Sequence, residues 1–448
     1  MSYTTFNADT GNTNTSINVT GLITNRYYQF KVSAINSEGV GLPAETITVA
    51  PRIGPSAPTN VVGSAGNARV IVSWTASNLN GGSAIAGYKV EYAVSPYDTW
   101  SVATDSVNSL TKLVEGLTND NSYKFRVTGT NQFVTGPTSE LSSTVTPTAF
   151  SATGGTITTY TLSSVNYKVH TFLYDENNDT NGQTSYDFIT TGTKAVDFLI
   201  VAGGGSGGGD NGGGGGAGGV LYYGQETPNN GSRVTITYGT YTVKVGKGGL
   251  ARKVNYGQVT AEEDQDGYNS SITLGTTYEA TGGGAGGVGN SGMYPGRSGG
   301  SGGGGGGEGS GGTGGSGVAG QGNAGGDAGA STGGGGGGGA GGSGDAAHGS
   351  TDLGGDGGIG VEYNIRTGTN QWYAAGGTGG GDNNDFYTHQ SPISGIGGIP
   401  PTSSSVAATS GQNETGSGGG GYTYNAPNVN GYYGGHGGTG IVVIRYVV

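Results

Sequence analysis

Hydrophobic and polar residues alternate with a period of two through much of the first 150 positions. Val70, Val72 and Trp74 share one face, Tyr88, Val90 and Tyr92 a second, and Tyr123, Phe125 and Val127 a third. That period belongs to strands half buried against a core. Clusters such as Asn78-Leu79-Asn80-Gly81-Gly82 supply the turns between them. The pattern also repeats. Leu22, Tyr28, Phe30, Val32, Asn36, Gly41 and Glu45 recur 95 positions later as Leu117, Tyr123, Phe125, Val127, Asn131, Gly136 and Glu140. A repeat of this length without helical periodicity predicts tandem β modules, each made of two sheets packed through the apolar faces.

After residue 150 the texture changes. Of 103 glycines, only 13 lie in the first 150 residues. Glycine loses more backbone freedom on folding than any other residue, so a tract this rich in it tends towards disorder. Strand-forming runs nevertheless punctuate it: Ala195–Ala202, Arg233–Thr237, Tyr241–Val245, Ser271–Leu274 and Gly440–Tyr446. Between them the glycines are interrupted mostly by Ser, Thr, Ala, Asn and Asp, with Lys and Arg nearly absent. A packed solution exists for such runs. A polyproline-II-type helix has three residues per turn and points every N–H and C=O sideways, so helices without side chains can bond to one another. No Gly-X-Y period holds, which excludes collagen.

The first 150 residues resemble fibronectin type III modules. Pro55–Val61 looks like the usual first strand, and Trp74 matches the core tryptophan of the second. Leu117 and Tyr123 look like the tyrosine corner, whose hydroxyl ties back to the upstream backbone. The resemblance spans a full module at 54–148 and the back half of another at 1–53. Half a sandwich leaves an apolar face and a sheet edge open. Either the chain is a fragment of a longer product, or a partner or neighbouring copy donates the missing strands.

The remainder resembles the glycine-rich domain at the ends of bacteriophage tail-fibre and other virion proteins. The matching residues are Val196–Gly205, Gly212–Val220, Tyr241–Gly249, Ser270-Ser-Ile-Thr, Ala280–Gly284 and Gly437–Tyr446. The expected architecture is therefore all-β: fibronectin type III (Ig-like) sandwiches, a connecting β region at 149–194, and a polyglycine domain at 195–448 built of strands and polyglycine-II helices. The resemblance implies a virion surface protein, and its best understood relatives are phage adhesins with receptor-contacting loops at the tip.

Charge and chemistry narrow the function. Eighteen Lys+Arg against 30 Asp+Glu leave a net charge of −12, which argues against binding nucleic acid or an anionic membrane. No apolar run approaches the roughly 20 residues of a membrane helix, and Met1–Thr5 begins neither a basic nor an apolar signal segment. Cysteine is absent, so disulfides, thiolate metal sites and cysteine nucleophiles drop out. G-x-G-x-x-G recurs around Gly203 and Gly302, but inside a low-complexity tract and not between a strand and a helix. His170, His348, His389 and His436 stand at no mutual ligand spacing and are expected in solvent. Asn177–Gly182 partly fits a calcium loop, yet Phe188 stands where a glutamate is required, so an Asx-rich turn is the better reading. The acidic run Glu262–Asp266 reads as a solvated loop. No catalytic constellation, cofactor site or metal site is expected, and the chain is not expected to be an enzyme.

The aromatics of the glycine-rich part cluster where the runs break. Tyr363, Trp372, Tyr373, Phe386, Tyr387, Tyr422, Tyr424, Tyr432 and Tyr433 are the candidate receptor contacts, because rigid rings cover much area at low entropy cost. The competing reading makes them apolar shielding on the flanks of the glycine bundle. Segment 382–415 is the candidate contact loop. The expected function is a phage tail fibre or adhesin subunit that binds a host surface protein or glycan. Other virion structural proteins would be held through the incomplete module, homo-oligomerisation being one form of this. Two further readings remain: a head decoration or other structural surface subunit, and an ice- or polysaccharide-binding protein.

Overall fold

In the computed structural model the described residues are 3–251, 265–289, 295–307, 311–329, 333–348, 353–381, 394–401, 407–423 and 434–448. They form two units, Met1–Phe150 and Ser151–Val448. Nearly all regular structure is β.

The first unit carries the repeat in its hydrogen bonds as well as its sequence. In the half module, β1 (Lys31–Val32) pairs β4 (Ala44–Glu45), and β2 (Ile35–Asn36) pairs β3 (Gly39–Val40). The full module has β5 (Thr59–Gly66), β6 (Arg69–Thr75), β7 (Ile85–Val94), β8 (Ser101–Val107), β9 (Thr111–Glu115), β10 (Tyr123–Asn131) and β11 (Thr135–Thr138). Its sheets, ordered β5-β6-β9 and β11-β10-β7-β8, close on Val70, Val72, Trp74, Tyr88, Val90, Phe125 and Val127. The corner forms as the spacing predicts: Tyr123 Oη accepts the Thr118 N–H at 3.0 Å, and Tyr28 Oη accepts the Ile23 N–H at 2.9 Å. Asn131 Oδ1 caps Phe133 N and Val134 N, as Asn36 Oδ1 caps Glu38 N and Gly39 N. What differs is cover. Val127 is 0% exposed, but its counterpart Val32 is 63% exposed, and Leu42 and Ile47 lie 96% and 82% open. In the full module the opposing β5-β6-β9 sheet covers that face.

The second unit is framed by two six-stranded sheets. Its strands are β12 (Ser151–Thr153), β13 (Thr156–Leu162), β14 (Val165–Leu173), β15 (Asp179–Thr180), β16 (Gln183–Thr191), β17 (Lys194–Val201), β18 (Val220–Tyr223), β19 (Val234–Ile236), β20 (Gly239–Gly246), β21 (Ser270–Leu274), β22 (Thr276–Ala280), β23 (Val361–Tyr363), β24 (Gln371–Tyr373) and β25 (Ile441–Val447). One sheet runs β12-β16-β20-β21-β22 with β15 on β16. The other runs β13-β14-β25-β17-β18 with β19 on β17, while β23 and β24 form a separate pair. The C-terminal run β25 lies between β14 and β17, antiparallel to both, and is buried along most of its length. The structure therefore differs from the sequence expectation for residues 149–194. They are not a connector: β12 to β16 supply strands to both sheets, and β14 pairs residues more than 250 positions away. A strand reads the same from sequence whether its partner is near or far.

The two sheets pack directly on each other, His170 and Phe172 of one meeting Phe188 of the other, and the glycine runs that join their strands form a lattice. Successive N–H groups of run 212–219 point to three different runs in strict rotation. Gly213, Gly216 and Gly219 donate to Gly287, Gly284 and Thr281; Gly212, Gly215 and Gly218 to Tyr422, Gly419 and Gly416; Gly214 and Ala217 to Gly335 and Gly338. Three further runs donate to its carbonyls, through Gly205 and Gly208, through Ser301 and Gly304, and through Gly377 and Gly380. All these bonds lie between 2.8 and 3.0 Å. A three-residue rotation with six neighbours is the geometry of packed polyglycine-II helices. The close approach demands glycine. A Cβ on Gly214 would meet the carbonyl of Gly377 and the nitrogen of Gly337 at or inside the 3.0 Å that real Cβ atoms essentially never cross.

Candidate functional site

The sheets and lattice decide where each aromatic ring can go. Tyr363 and Tyr373 are buried in one cluster with Leu199, Tyr222, Ile365 and Val443. Tyr363 stacks on Tyr222 at 4.6 Å and donates its hydroxyl to Pro228 O at 2.7 Å, while Tyr373 donates to Gln371 Oε1 at 3.1 Å. Burial pushes both phenols well above their usual range. Tyr422 is also buried, its N–H bonded to Gly208 O inside the lattice. These three candidate contacts are therefore core residues. A glycine bundle has no apolar side chains of its own, so the rings at its flanks become its hydrophobic cover. Phe386, Tyr387, Tyr424, Tyr432 and Tyr433 lie outside the described residues, as do 382–393 and 402–406 of the expected contact loop.

Trp372 differs from its neighbours. It is half buried on β24 and lines a cleft of about 160 Å³ with Arg366, Gln371, Gln412, Asn413 and Glu414. Arg366 Nη2 meets Glu414 Oε2 at 2.7 Å across it. The turn at 412–415 is pinned by three bonds from two residues: Ala374 N donates to Thr415 O, Glu414 N to Thr439 Oγ1 and Thr439 N to Asn413 Oδ1. Glu414 is held at φ 63°, in the left-handed region that non-glycine residues rarely adopt. Sequence reasoning singled out Trp372 and Tyr373, and its contact loop 382–415 takes in Gln412, Asn413 and Glu414, but nothing in it brought the two together or pointed to Arg366 and Gln371. Their convergence depends on the end of β24 and the 412–415 turn, about 40 residues apart, lying side by side through the Ala374–Thr415 bond.

A second cluster, buried and ionic, was missed altogether. Asp197 on β17 is fully buried and accepts Arg445 Nη2 and Nε from β25 at 2.7 and 3.0 Å, and Arg233 Nε at 2.7 Å. Arg445 also meets Glu226 at 3.0 Å, Tyr160 Oη at 2.8 Å and Asn364 Oδ1 at 2.9 Å. Two arginines face two carboxylates, so the charges balance. The cluster ties the C-terminal strand to its sheet. Its signal in the sequence is a single acid in the run 196–201 and a single base in the run 441–448, both otherwise apolar.

The histidine expectation is corrected at His170. It is fully buried, with Nδ1 2.8 Å from Gly154 O and Nε2 3.2 Å from Tyr446 Oη, stacked on Tyr446 and edge-on to Phe188. Burial holds its pKa below the ordinary 6.5, Lys168 adding to the effect and the Gly154 bond opposing it. His436 is half buried and accepts the Ala251 N–H at 2.9 Å, and His348 is exposed. His389 lies outside the described residues. At Asn177–Gly182 the structure places the end of a 3-10 turn, the short strand β15 and the Asn181-Gly182 turn; the Asx acceptor is Asp175, just before the stretch, which accepts the Asn177 N–H and caps the 3-10 turn. In the acidic run, residues 262–264 lie outside the described residues. Asp266 is only partly solvated: it accepts the Ala285 N–H at 2.8 Å and meets Arg297 at 3.2 Å, and burial raises its pKa. Among the described residues no three His, Asp or Glu side chains form a group able to hold a metal ion.

The pairing of framing strands with sideways-bonded glycine runs has counterparts. The glycine-rich domain family matches residues 179–447, well over half of the protein. The chain belongs to this family. The fibronectin type III domain matches residues 56–145 of this glycine-rich domain protein. Among solved structures it is similar to the twitchin kinase region from C. elegans, at 25% identity over 21% of this chain and 17% of that one, TM-score 0.20. Titin module A71 from human cardiac muscle is 30% identical over 21% of this chain and 92% of that one, TM-score 0.20. The FN1–FN3 domains of chicken CNTN1 are 14% identical over 51% and 71%, TM-score 0.24. The chain spans 17% of the twitchin region and 30% of the titin kinase with its flanking domains. The fibronectin type III domain at 56–145 is a structural or adhesion-type module.

Proposed function

We propose that this glycine-rich domain protein is a non-enzymatic virion surface protein, a bacteriophage tail-fibre or adhesin subunit that contacts the host through a surface protein or glycan. The observation that carries the reading is the lattice. Its cohesion comes from backbone hydrogen bonds, with no disulfide and hardly any charge, so it depends on neither redox state nor ionic strength. Such a scaffold suits a particle exposed outside a cell, where loops on a rigid support do the recognising. The resemblance of Val196–Gly205 and Gly437–Tyr446 to tail-fibre glycine-rich domains points the same way. Gold-labelled antibody against this chain, imaged on intact particles, should mark the fibre tips, and the purified chain should block adsorption of the particle to its host. Label confined to the head would replace this reading with a decoration or other structural subunit. One observation favours that second reading: the open apolar face around Val32, Leu42 and Ile47 suits docking against a neighbouring subunit.

A further inference from the structure

The cleft beside Trp372 has a composition that selects a ligand. We propose that it is a saccharide subsite, taking one uncharged sugar ring of a surface polysaccharide, an inference that rests on the attachment reading above. Size comes first. About 160 Å³ is half the roughly 300 Å³ at which pockets for drug-sized molecules begin, so it admits a single ring with the rest of the ligand outside.

Charge comes next. Arg366 and Glu414 neutralise each other across the cleft at 2.7 Å, so neither an anion nor a cation is favoured. The remaining polar lining is carboxamide. Gln371, Gln412 and Asn413 each bring an NH₂ group that makes no hydrogen bond among the described residues, while Gln371 Oε1 and Asn413 Oδ1 are held by Tyr373 and Thr439. Free NH₂ donors beside carboxylate and carbonyl acceptors match hydroxyl groups, which both donate and accept. The half-buried indole of Trp372 supplies the flat apolar surface that the C–H face of a pyranose requires. Glu414, in a strained backbone conformation held by the pinned turn, is the kind of outlier found at ligand clamps.

The test uses the full chain labelled with nitrogen-15. Its three tryptophans give three indole N–H signals, and Trp372→Phe identifies the one from the cleft. Methyl glycosides of glucose, galactose, mannose and N-acetylglucosamine are titrated in turn, with methyl glucuronide as the charged comparison. At least one neutral glycoside should move the Trp372 signal in a saturable way and leave the other two in place. Gln412→Ala should weaken that binding about three- to ten-fold, the worth of one hydrogen bond. A Trp372 signal that no glycoside moves overturns the proposal, and so does one moved only by the glucuronide. Failure of the two readings is separable. A chain that blocks host adsorption with an unmoved indole loses the saccharide site but keeps the attachment role; one that fails to block adsorption while the indole responds loses the attachment role instead.

Discussion

Replacing Gly214 by alanine adds one methyl group at the centre of the lattice, at a point where two runs exchange a hydrogen bond. The new Cβ would land on the Gly377 carbonyl and the Gly337 nitrogen, which bond to each other at 2.8 Å. Both neighbours are backbone, so neither can rotate away. Gly214 itself donates to Gly335 O at 2.9 Å and accepts from Gly304 N at 2.8 Å, so a shift of its run also strains those bonds. Overpacking costs about 1–3 kcal/mol, and each buried backbone group left unpaired about 1–3 kcal/mol more. The expected loss is roughly 3–6 kcal/mol. In a unit of this size that lowers the melting temperature by about 6–12 °C.

The comparison is Gly329→Ala, the same change of chemistry in the same lattice. There the Cβ would find Ala347 Cβ at 3.5 Å, an ordinary contact, and no positive φ stands in the way. An alanine that fits stabilises by about 0.4–1 kcal/mol, because it restricts the unfolded chain. The two variants should therefore move the glycine-rich transition in opposite directions when the full chain is followed by scanning calorimetry. A loose glycine brush would give two small shifts of one sign. That result would refute the lattice as the source of cohesion.

Three other perturbations test separate parts of the structure. His170 is buried with a depressed pKa, so its contribution to stability is present above pH 6.5 and lost as the pH falls towards the folded-state value. His170→Phe should keep the stack on Tyr446 and flatten the acid slope of a urea midpoint series by up to about 1.4 kcal/mol per pH unit; an unchanged slope would place the titration elsewhere, with His436 the next group to replace. Asp197→Asn leaves the buried Arg445 and the half-buried Arg233 facing one carboxylate and should cost about 3–5 kcal/mol in a denaturant titration; a loss under about 1 kcal/mol would mean the cluster is solvated. Val127→Asp buries an unpaired charge and should unfold the full module, whereas Val32→Asp at the repeat position should change the melt by less than about 0.5 kcal/mol. Equal effects would show that the half module's face is covered.

The parts of this protein that were legible in its sequence are those where a side chain has a fixed local job. Trp74 and Tyr123 act within one module, and the structure repeats the corner 95 positions earlier, where Tyr28 accepts the Ile23 N–H. The polyglycine helices were legible as a type, because runs so poor in side chains have one good way to pack. Their neighbours were not. A glycine helix looks the same from every side, so nothing in run 212–219 says that Gly214 will bond Gly335 and Gly215 will bond Gly419. The same blindness hid the pairing of β14 with β25 and the meeting of Trp372 with Glu414. It also misled the aromatic reading at Tyr363, Tyr373 and Tyr422, where a break in the glycine runs marks the edge of the core and not the surface.

If the helices do not choose their neighbours, something else must, and the framing strands are the only elements specific enough to do so. β17 leads directly into run 203–208, β18 follows run 212–219 directly, and β25 takes over at Ile441 from the run that ends at Gly440. Each strand has an unambiguous apolar pattern and a fixed register, and the buried Asp197–Arg445 pair locks β17 to β25. The sheets thus set the ends of the glycine runs, and a backbone lattice with a three-residue repeat then has few ways left to register between them. Cohesion and specificity are divided here between two kinds of structure: the lattice supplies many interchangeable bonds, and the buried ion pair with its strands decides which of the equivalent lattices forms.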